Sequence, residues 1–388
     1  MILAALLLPI AVVAIVIAIQ RFRLPTFLAL MAVVVGYGIA ASMTFQSIGK
    51  AFGMGFVAAL EQVGLLVVAA GLVGTLLRPQ ALSPVAAATA GILAGLGGSA
   101  TAGFALLKPA GRAVALALTI LVVHALVAPS PLAVAAMSVM KANLSTMLAI
   151  TVPVAAVIVV AIGVWARRVD GPGGGLSWAW LAIAVPLGLL ILQAIAQMPT
   201  EPLGKGGARE FYTGISRSLI LAVIAIAIAI LLTRRWQPEK LADTSWAPLL
   251  LTVGAAGGLA RVLDETGMAE LLAEKALHPG LGLLTPFLAA AIVKTMQGNS
   301  LSAVLTASGM VEPMLPALGL DSASGRALAA AAAGAGSIAI CHVNDPFFWI
   351  AADIGKLSPA RALLLVSLGS LAVGLGALLL LGLVRFLL

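Results

Sequence analysis

The sequence has very little charge. Only 9% of its 388 residues are Asp, Glu, Lys or Arg, whereas 62% are hydrophobic and the mean hydropathy is +1.16. Because a soluble domain has roughly a quarter of its residues charged, this composition excludes a water-soluble surface. The apolar residues also come in runs near the ~20 that a helix needs to cross the hydrocarbon layer. The composition therefore predicts an all-α polytopic membrane protein.

Other scarce features exclude further classes of protein. The single cysteine, Cys341, has no partner for a disulfide, and it suggests neither redox chemistry nor a zinc site. Aromatic residues make up 5% of the chain and the basic residues are scattered, so the net charge of +8 does not indicate a nucleic-acid surface. The motifs GK[ST] after a Gly-rich loop, HExxH and GxSxG do not occur, which argues against ATP-driven pumping and hydrolysis. We expect no catalytic residue, no cofactor, no metal site and no nucleic-acid partner.

The apolar runs predict membrane-spanning helices at about residues 2–19, 25–41, 56–77, 110–128, 146–165, 177–198, 216–232, 246–263, 325–341 and 360–387. Basic residues cluster at 21–23, 167–168 and 234–240, and by the positive-inside rule these loops face the cytoplasm. No positive charge precedes the first run, unlike a secretory signal peptide. We expect a multi-pass protein of the cell inner membrane with its N-terminus outside.

Two further apolar stretches are interrupted by small and polar residues. Residues 86–109 are broken at GLGGSATAG, and residues 281–313 are broken at MQGNSLSAV. A helix that stops at membrane depth exposes backbone N–H and C=O groups that lipid cannot satisfy, so each break must face protein or a water-filled cavity. Both stretches are therefore predicted to be re-entrant helical hairpins that take part in binding.

The two halves of the chain resemble one another weakly. GLVGTLL (71–77) is similar to GGLARVL (257–263), and VVHALVAPSP (122–131) is similar to ICHVNDPFFW (340–349). Paired interruptions at corresponding points predict a transporter with two inverted structural repeats. The Gly-rich segment VDGPGGGLS divides the chain into residues 1–168 (first half), 169–245 (linker and two connecting spans) and 246–388 (second half).

The segment CHVNDP brings three polar side chains to the end of an Ala- and Gly-rich helix. His342 and Asp345 could take up and release a transported proton, and Asn344 could bind a hydroxylated substrate. Ionisable residues at membrane depth are costly and usually functional or paired. Alternatively, Asn344 and Asp345 cap a helix that begins at Pro346; both interpretations can hold together.

The hairpin tips supply short polar side chains and helix N-termini, which attract carboxylates. Lys108 and Lys294 could neutralise an anion, but the favoured interpretation is that these lysines snorkel to the membrane interface. The small residues could equally serve close helix packing. The candidate substrate-binding residues at the tips are Gly98, Ser99, Thr101, Gly298, Asn299, Ser300 and Ser302.

Other ionisable residues have weaker claims. His124 lies on an apolar helix and is a candidate for proton coupling, or it could simply bond across helices. Glu61, at the start of the third predicted span, could be a coupling carboxylate or an interfacial one. Arg261, Asp264 and Glu265 are expected to form an interfacial charge cluster.

These motifs resemble the gluconate permease family of proton-coupled sugar-acid symporters, within the ion-transporter superfamily. GAGSIAICHVNDPFFWI (334–350) is similar to the family motif GAGS followed by SHVND and GFW. AAGGLARVLDETGM (255–268) and GNSLSAVLTASGMVEP (298–313) are similar to two further family segments. The first half departs from the pattern, because Thr101 stands where the family has Asp and Ser130 where it has a second His.

The resemblance implies a symporter for a small organic anion, such as gluconate or a related hydroxy-carboxylate, driven by protons across the lipid bilayer. Alternating access would come from one bundle moving against a scaffold that could form a homodimer. Two alternatives remain. A cation/proton exchanger would bind a metal ion through Asp345, Asn344 and hairpin carbonyls, and a membrane enzyme or receptor would use the pocket without translocation.

Overall fold

The computed structural model describes residues 2–77, 82–108, 113–169, 181–233, 247–267, 273–275 and 277–388, which fold into helices joined by turns. The first helices are α1 (Ile2–Gln20), α2 (Thr26–Ala40), α3 (Phe45–Leu77), α4 (Pro84–Leu96), α5 (Ala100–Leu106), α6 (Ala113–Leu126), α7 (Pro131–Val139) and α8 (Leu144–Ala166). The later helices are α9 (Leu181–Ala196), α10 (Gly207–Ile215), α11 (Ser218–Thr233), α12 (Ala247–Asp264), α13 (Leu284–Gln297), α14 (Ser300–Val311), α15 (Ala323–Ser337), α16 (Pro346–Ile354) and α17 (Pro359–Leu387).

Within the described residues, five helices are long and apolar enough to cross a bilayer, or six if the bent pair α10 and α11 forms one span. The five are Phe45–Val73, Ala113–Val139, Leu144–Ala166, Ala247–Asp264 and Pro359–Leu387. Large apolar side chains such as Val160, Leu379 and Phe386 lie on the outer surface. The prediction of a polytopic α-helical membrane protein is confirmed.

Several predicted spans differ from the helices. α3 begins at Phe45 rather than at residue 56, because the Thr44 hydroxyl accepts a hydrogen bond from the backbone N–H of Ser47 (3.1 Å) and starts the helix earlier. The prediction that Glu61 lies at the start of the third span is therefore wrong, since Glu61 is an exposed residue in the middle of α3. α15 ends at Ser337 instead of 341, and the backbone turns at Ile340, whose φ is +55°.

Both predicted breaks are confirmed. The first apolar stretch divides into α4 and α5 at residues 97–99, and the second divides into α13 and α14 at residues 298–299. We call α4 with α5 the first hairpin and α13 with α14 the second hairpin. The first hairpin packs against α6, α3 and α9, and the second packs against α15, α12 and α7.

α3 and α12 approach each other more closely than side chains would allow. A Cβ atom added to Gly55 would lie 2.2 Å from the Gly257 carbonyl oxygen, and one added to Gly257 would lie 2.5 Å from the Cβ of Ala59. Without a hydrophobic driving force in lipid, helices associate through this kind of close backbone contact between small residues. The pair forms one wall of the cavity described below.

α15 lies at the centre of the bundle. Its residues from Ala327 to Ser337 are almost completely buried, and all of them are Ala, Gly, Leu or Ser. Gly334 lies against the carbonyl of Ala125 in α6, and Gly336 lies against the carbonyl of Phe287 in α13. Small side chains therefore let one helix touch the backbones of two neighbours.

An ionic cluster joins the end of the second hairpin that lies away from its tip to the neighbouring helices. Glu312 follows α14, and its carboxylate accepts a hydrogen bond from Lys141 Nζ (2.7 Å) and lies 3.5 Å from Arg326 Nη1. Arg326 also donates to the carbonyl of Met140 (3.1 Å). The hydrogen bond from Lys141, assisted by the charge of both cations, lowers the pKa of Glu312 below its ordinary value.

We expect Gly257→Ala to lower the free energy of unfolding by about 1–3 kcal/mol, because the added methyl group has no space between α12 and α3. Thermal unfolding in detergent measures this loss. Gly53→Ala on α3 is the matched control, since a Cβ there meets nothing within 4 Å. Equal unfolding temperatures for the two variants would contradict the proposed close packing.

We expect the contribution of Glu312 to be lost at low pH. A carboxyl with a lowered pKa in the folded state stabilises that state above its unfolded pKa, and this stability disappears as the pH falls through the folded value. The unfolding temperatures of wild type and Glu312→Gln should therefore differ at neutral pH and converge on acidification. Glu210→Gln, on the exposed face of α10, should show no such convergence.

Candidate functional site

The tips of the two hairpins meet at one cavity of about 420 Å³. α3 and α12 form one side of it, mainly through small residues and Gln62 but also through charged residues at the end of α12, and α6 with the start of α7 forms another. Of the candidate residues predicted from sequence, those that line the cavity are Gly98, Ser99, Thr101, His124, Gly298, Asn299, Ser300, Ser302 and Asp345. The remaining two, His342 and Asn344, lie behind the second hairpin, outside the lining.

The second hairpin turns at Gly298, which has a left-handed φ of +68°. Such a backbone conformation favours glycine, and a Cβ here would also lie 2.4 Å from the carbonyl oxygen of Asn344. Asn299 then caps α14, because its Oδ1 accepts hydrogen bonds from the N–H groups of Leu301 (2.9 Å) and Ser302 (3.1 Å). The Ser302 hydroxyl donates to Gln297 Oε1 across the turn (2.7 Å).

His342 and Asn344 hold the other side of this turn. His342 Nε2 lies 2.8 Å from the Thr295 carbonyl, and Asn344 Nδ2 donates to the carbonyls of Thr295 (3.0 Å) and Met296 (3.1 Å). Carbonyl oxygens only accept, so His342 Nε2 carries the hydrogen. The last carbonyls of a helix have no intrahelical partner, and these two side chains supply partners at the end of α13.

Asp345 combines two of the predicted roles. Its Oδ1 accepts from the N–H of Phe347 (2.8 Å), so it caps α16 with Pro346 at the first helical position, as the capping interpretation predicts. Its Oδ2 pairs with the ammonium group of Lys294 and accepts from Cys341 Sγ (3.3 Å). The carboxylate also lines the cavity, and it is therefore both a structural cap and a charged group in the cavity wall.

The prediction that Lys294 snorkels to the interface is wrong. Its side chain is only 1% exposed, and its ammonium group donates to Asp345 and to the Gly298 carbonyl (3.1 Å). Burial of an unpaired ammonium group would be costly, and reaching the interface would avoid that cost. Here the buried carboxylate of Asp345 compensates the charge instead. Lys108, by contrast, pairs with Asp353 at 2.8 Å, is about a quarter exposed and does not line the cavity.

The first hairpin is held by hydrogen bonds with its neighbouring helices. His124 Nδ1 donates to the Gly95 carbonyl (2.8 Å), as expected for a histidine that bonds across helices. The Gly98 N–H donates to the Leu190 carbonyl in α9 (2.9 Å). Ser99 caps α5 by accepting from the Ala102 N–H (3.2 Å), and its hydroxyl also accepts from Gln62 Nε2 (3.2 Å).

Thr101 lines the cavity from the first turn of α5. Ser130, the other departure from the family pattern, lies outside the lining and caps α7 by accepting from the Ala133 N–H (3.3 Å). Its hydroxyl donates to the His124 carbonyl (2.5 Å). The rings of Phe104 in α5 and Phe347 in α16 contact each other at an interplanar angle of 30°, with centroids 4.6 Å apart.

The expected charge cluster at the end of α12 is present. Arg261 donates to Asp264 and to Glu265, both at 2.6 Å. Arg261 and Asp264 also line the cavity, which the sequence pattern did not predict. Within the described residues, no group of three or more His, Cys, Asp or Glu could hold a metal ion.

Fold and site together define a multi-pass membrane protein with a polar cavity between two broken helices. Residues 168–386, more than half of the chain, match the family described as "GntP family permease". The chain belongs to this family. The predicted family is therefore confirmed. The family and the relatives below are named as permeases or transporters and not as enzymes.

Three similar proteins are named for gluconate. The low-affinity gluconate transporter of Escherichia coli (strain K12) is 32% identical over 49% of this chain and 44% of its own length. The high-affinity gluconate transporter of the same strain is 29% identical over 46% of this chain and 41% of its own length. The gluconate permease of Pseudomonas aeruginosa is 24% identical over 90% of both chains. The match thus spans less than half the length of the two E. coli relatives.

Two asparagines at the second hairpin should respond differently to Asn→Asp. We expect Asn344→Asp to lower the free energy of unfolding by about 1–3 kcal/mol or more, because an acceptor would replace the donor that faces two buried carbonyls. Asn299→Asp should leave stability unchanged or raise it, because its Oδ1 only accepts. Thermal unfolding in detergent compares the two, and equal losses would contradict the assigned hydrogen bonds.

Proposed function

We propose that the protein is a secondary active transporter that carries a small organic anion together with protons, with gluconate or a related hydroxy-carboxylate as substrate. The observation that carries this proposal is a cavity bounded by both hairpin tips and by a buried cation, in a chain of the GntP permease family. Relatives named as gluconate transporters support the choice of substrate class.

The chemistry of the cavity suits a hydroxylated carboxylate. Its volume of about 420 Å³ falls within the range of roughly 300–1,000 Å³ that is usual for small-molecule sites. The first turn of α14 points into the cavity and favours an anion there. Ser300, Ser302 and Asn299 on one side, and Ser99 and Thr101 with Gly98 on the other, offer partners for hydroxyl groups.

Coupling to protons needs an ionisable group that reaches the transported molecule. Asp345 and His124 line the cavity, and His342 contacts the hairpin that forms the cavity wall. We propose that these three residues connect proton binding to substrate binding. In this arrangement Asn344 and His342 would act through the position of the second hairpin.

Corresponding contacts support two inverted repeats, residues 1–168 and 246–388, with 169–245 as linker and connecting spans. His124 bonds the Gly95 carbonyl and His342 bonds the Thr295 carbonyl, and each carbonyl lies three residues before the glycine of its hairpin tip, Gly98 or Gly298. α5 packs on α16 while α14 packs on α7. Each hairpin therefore contacts the short helix of the other half that begins at a proline, Pro346 for α16 and Pro131 for α7. Residues 170–180 and 234–246 of the linker region lie outside the described residues.

The proposed setting is the inner membrane, with the N-terminus outside. The exposed residues Arg21, Arg23, Arg167 and Arg168 would then face the cytoplasm, whereas the basic cluster at 234–240 lies outside the described residues. We propose that α3 and α12 belong to a static scaffold, which can dimerise, and that the hairpins move against it.

We expect proteoliposomes with the purified protein to accumulate labelled gluconate when the outside is made acidic. For one proton per anion, a gradient of one pH unit corresponds to about tenfold accumulation at equilibrium. Protein-free liposomes are the control. Sodium-driven proton movement without uptake of any sugar acid would favour a cation/proton exchanger instead, and binding without translocation would favour a receptor.

A further inference from the structure

Two opposite charges share one wall of the cavity. Lys294 on the second hairpin and Asp345 at the start of α16 are paired, their side chains are 1% and 8% exposed, and both line the cavity. An anion that binds at the tip of this hairpin therefore arrives beside a cation that already has a counterion.

Electrostatics then restrict which charges can be present together. Lys294 with Asp345 is neutral, whereas Lys294 with two carboxylates would leave one negative charge buried without compensation. A buried charge without a partner is strongly destabilising, so this state is disfavoured. Protonation of one carboxylate removes the excess charge and restores neutrality.

We propose that Lys294 binds the carboxylate of the substrate, and that this carboxylate replaces Asp345 as the counterion of Lys294 while Asp345 takes up one proton. This inference rests on the proposed function. On the open side, the ammonium–Asp345 hydrogen bond breaks, a proton from the cavity water binds the Asp345 carboxylate, and the ammonium group donates to the substrate. On the other side these steps reverse, so one proton crosses with each monovalent anion and no net charge moves.

The surroundings of Asp345 are compatible with this exchange. Cys341 Sγ and the Phe347 N–H still face a protonated carboxyl group, so α16 keeps a cap when Lys294 leaves. His342, on the same segment, is bound to the Thr295 carbonyl. α6 contributes His124, bound to the Gly95 carbonyl. α12 contributes Arg261, which is paired with Asp264 and Glu265.

The remaining neighbours of α16 add no competing charge to the cavity. Lys108, after α5, pairs with Asp353 near the far end of α16, and Arg361 at the start of α17 is exposed. None of these three residues lines the cavity. Within the described residues, Lys294 is the cation that lies nearest to the second hairpin tip, since it bonds the Gly298 carbonyl itself.

The exchange is tested by comparing two driving forces in proteoliposomes. Wild type should accumulate gluconate about tenfold under a gradient of one pH unit, and a potential alone should drive no accumulation. Asp345→Asn keeps an acceptor for the Phe347 N–H but cannot take up the proton. This variant should lose accumulation driven by the pH gradient and instead accumulate the anion about tenfold under ~59 mV, inside positive.

Asp353→Asn is the matched control, because it removes the carboxylate of a Lys–Asp pair outside the cavity. It should behave as wild type. If Lys–Asp pairs had only a structural role, Asp353→Asn and Asp345→Asn would instead be expected to behave alike. Accumulation driven by the pH gradient in Asp345→Asn would overturn the inference. Absence of any gluconate uptake in wild type would instead refute the proposed function.

Proton uptake by the wild type provides a second measurement if Asp345→Asn does not fold. Gluconate added to the purified protein in weakly buffered detergent solution should remove about one proton from solution per anion bound, as the neutral exchange requires. Anion binding without a change in pH would overturn the exchange, whatever the behaviour of the variant.

Discussion

The backbone groups exposed at the two helix breaks impose the main constraint on this structure. Lipid offers no hydrogen bonds, so each break must be satisfied by protein or by a water-filled cavity. Gly95, Thr295 and Met296 contribute carbonyls at the ends of α4 and α13, and His124, His342 and Asn344 bind them. The same breaks leave helix N-termini at the cavity, and thus one constraint both fixes the hairpins and creates the site.

Local chemistry explains which features could be predicted from the sequence. Glycine and short polar residues interrupt apolar runs at residues 97–99 and 298–299, and Asp345 before Pro346 is a local capping signal. Lys294 could not be placed in this way. A lysine near the end of an apolar helix normally reaches the interface, and its partner Asp345 lies 51 residues further along the chain. The early start of α3 depended on one threonine hydroxyl, which hydropathy does not register.

The two hairpins reach the cavity with different electrostatics. The second carries the Lys294–Asp345 ion pair at its tip, whereas the first is held there by hydrogen bonds with His124, Gln62 and α9. Thr101 occupies the position where the resemblance to the family implies an acidic residue. The charged residues of the site are consequently concentrated in the second half of the chain, which the family match at residues 168–386 covers almost completely.

α15 determines how motion can spread through the bundle. Its backbone touches that of α6 through Gly334 and that of α13 through Gly336, with no long side chain between them to bend. Flexible side chains absorb small displacements, but backbone pressed against backbone does not. A displacement of the second hairpin, to which α13 belongs, would therefore be passed on to α6, the helix against which the first hairpin packs.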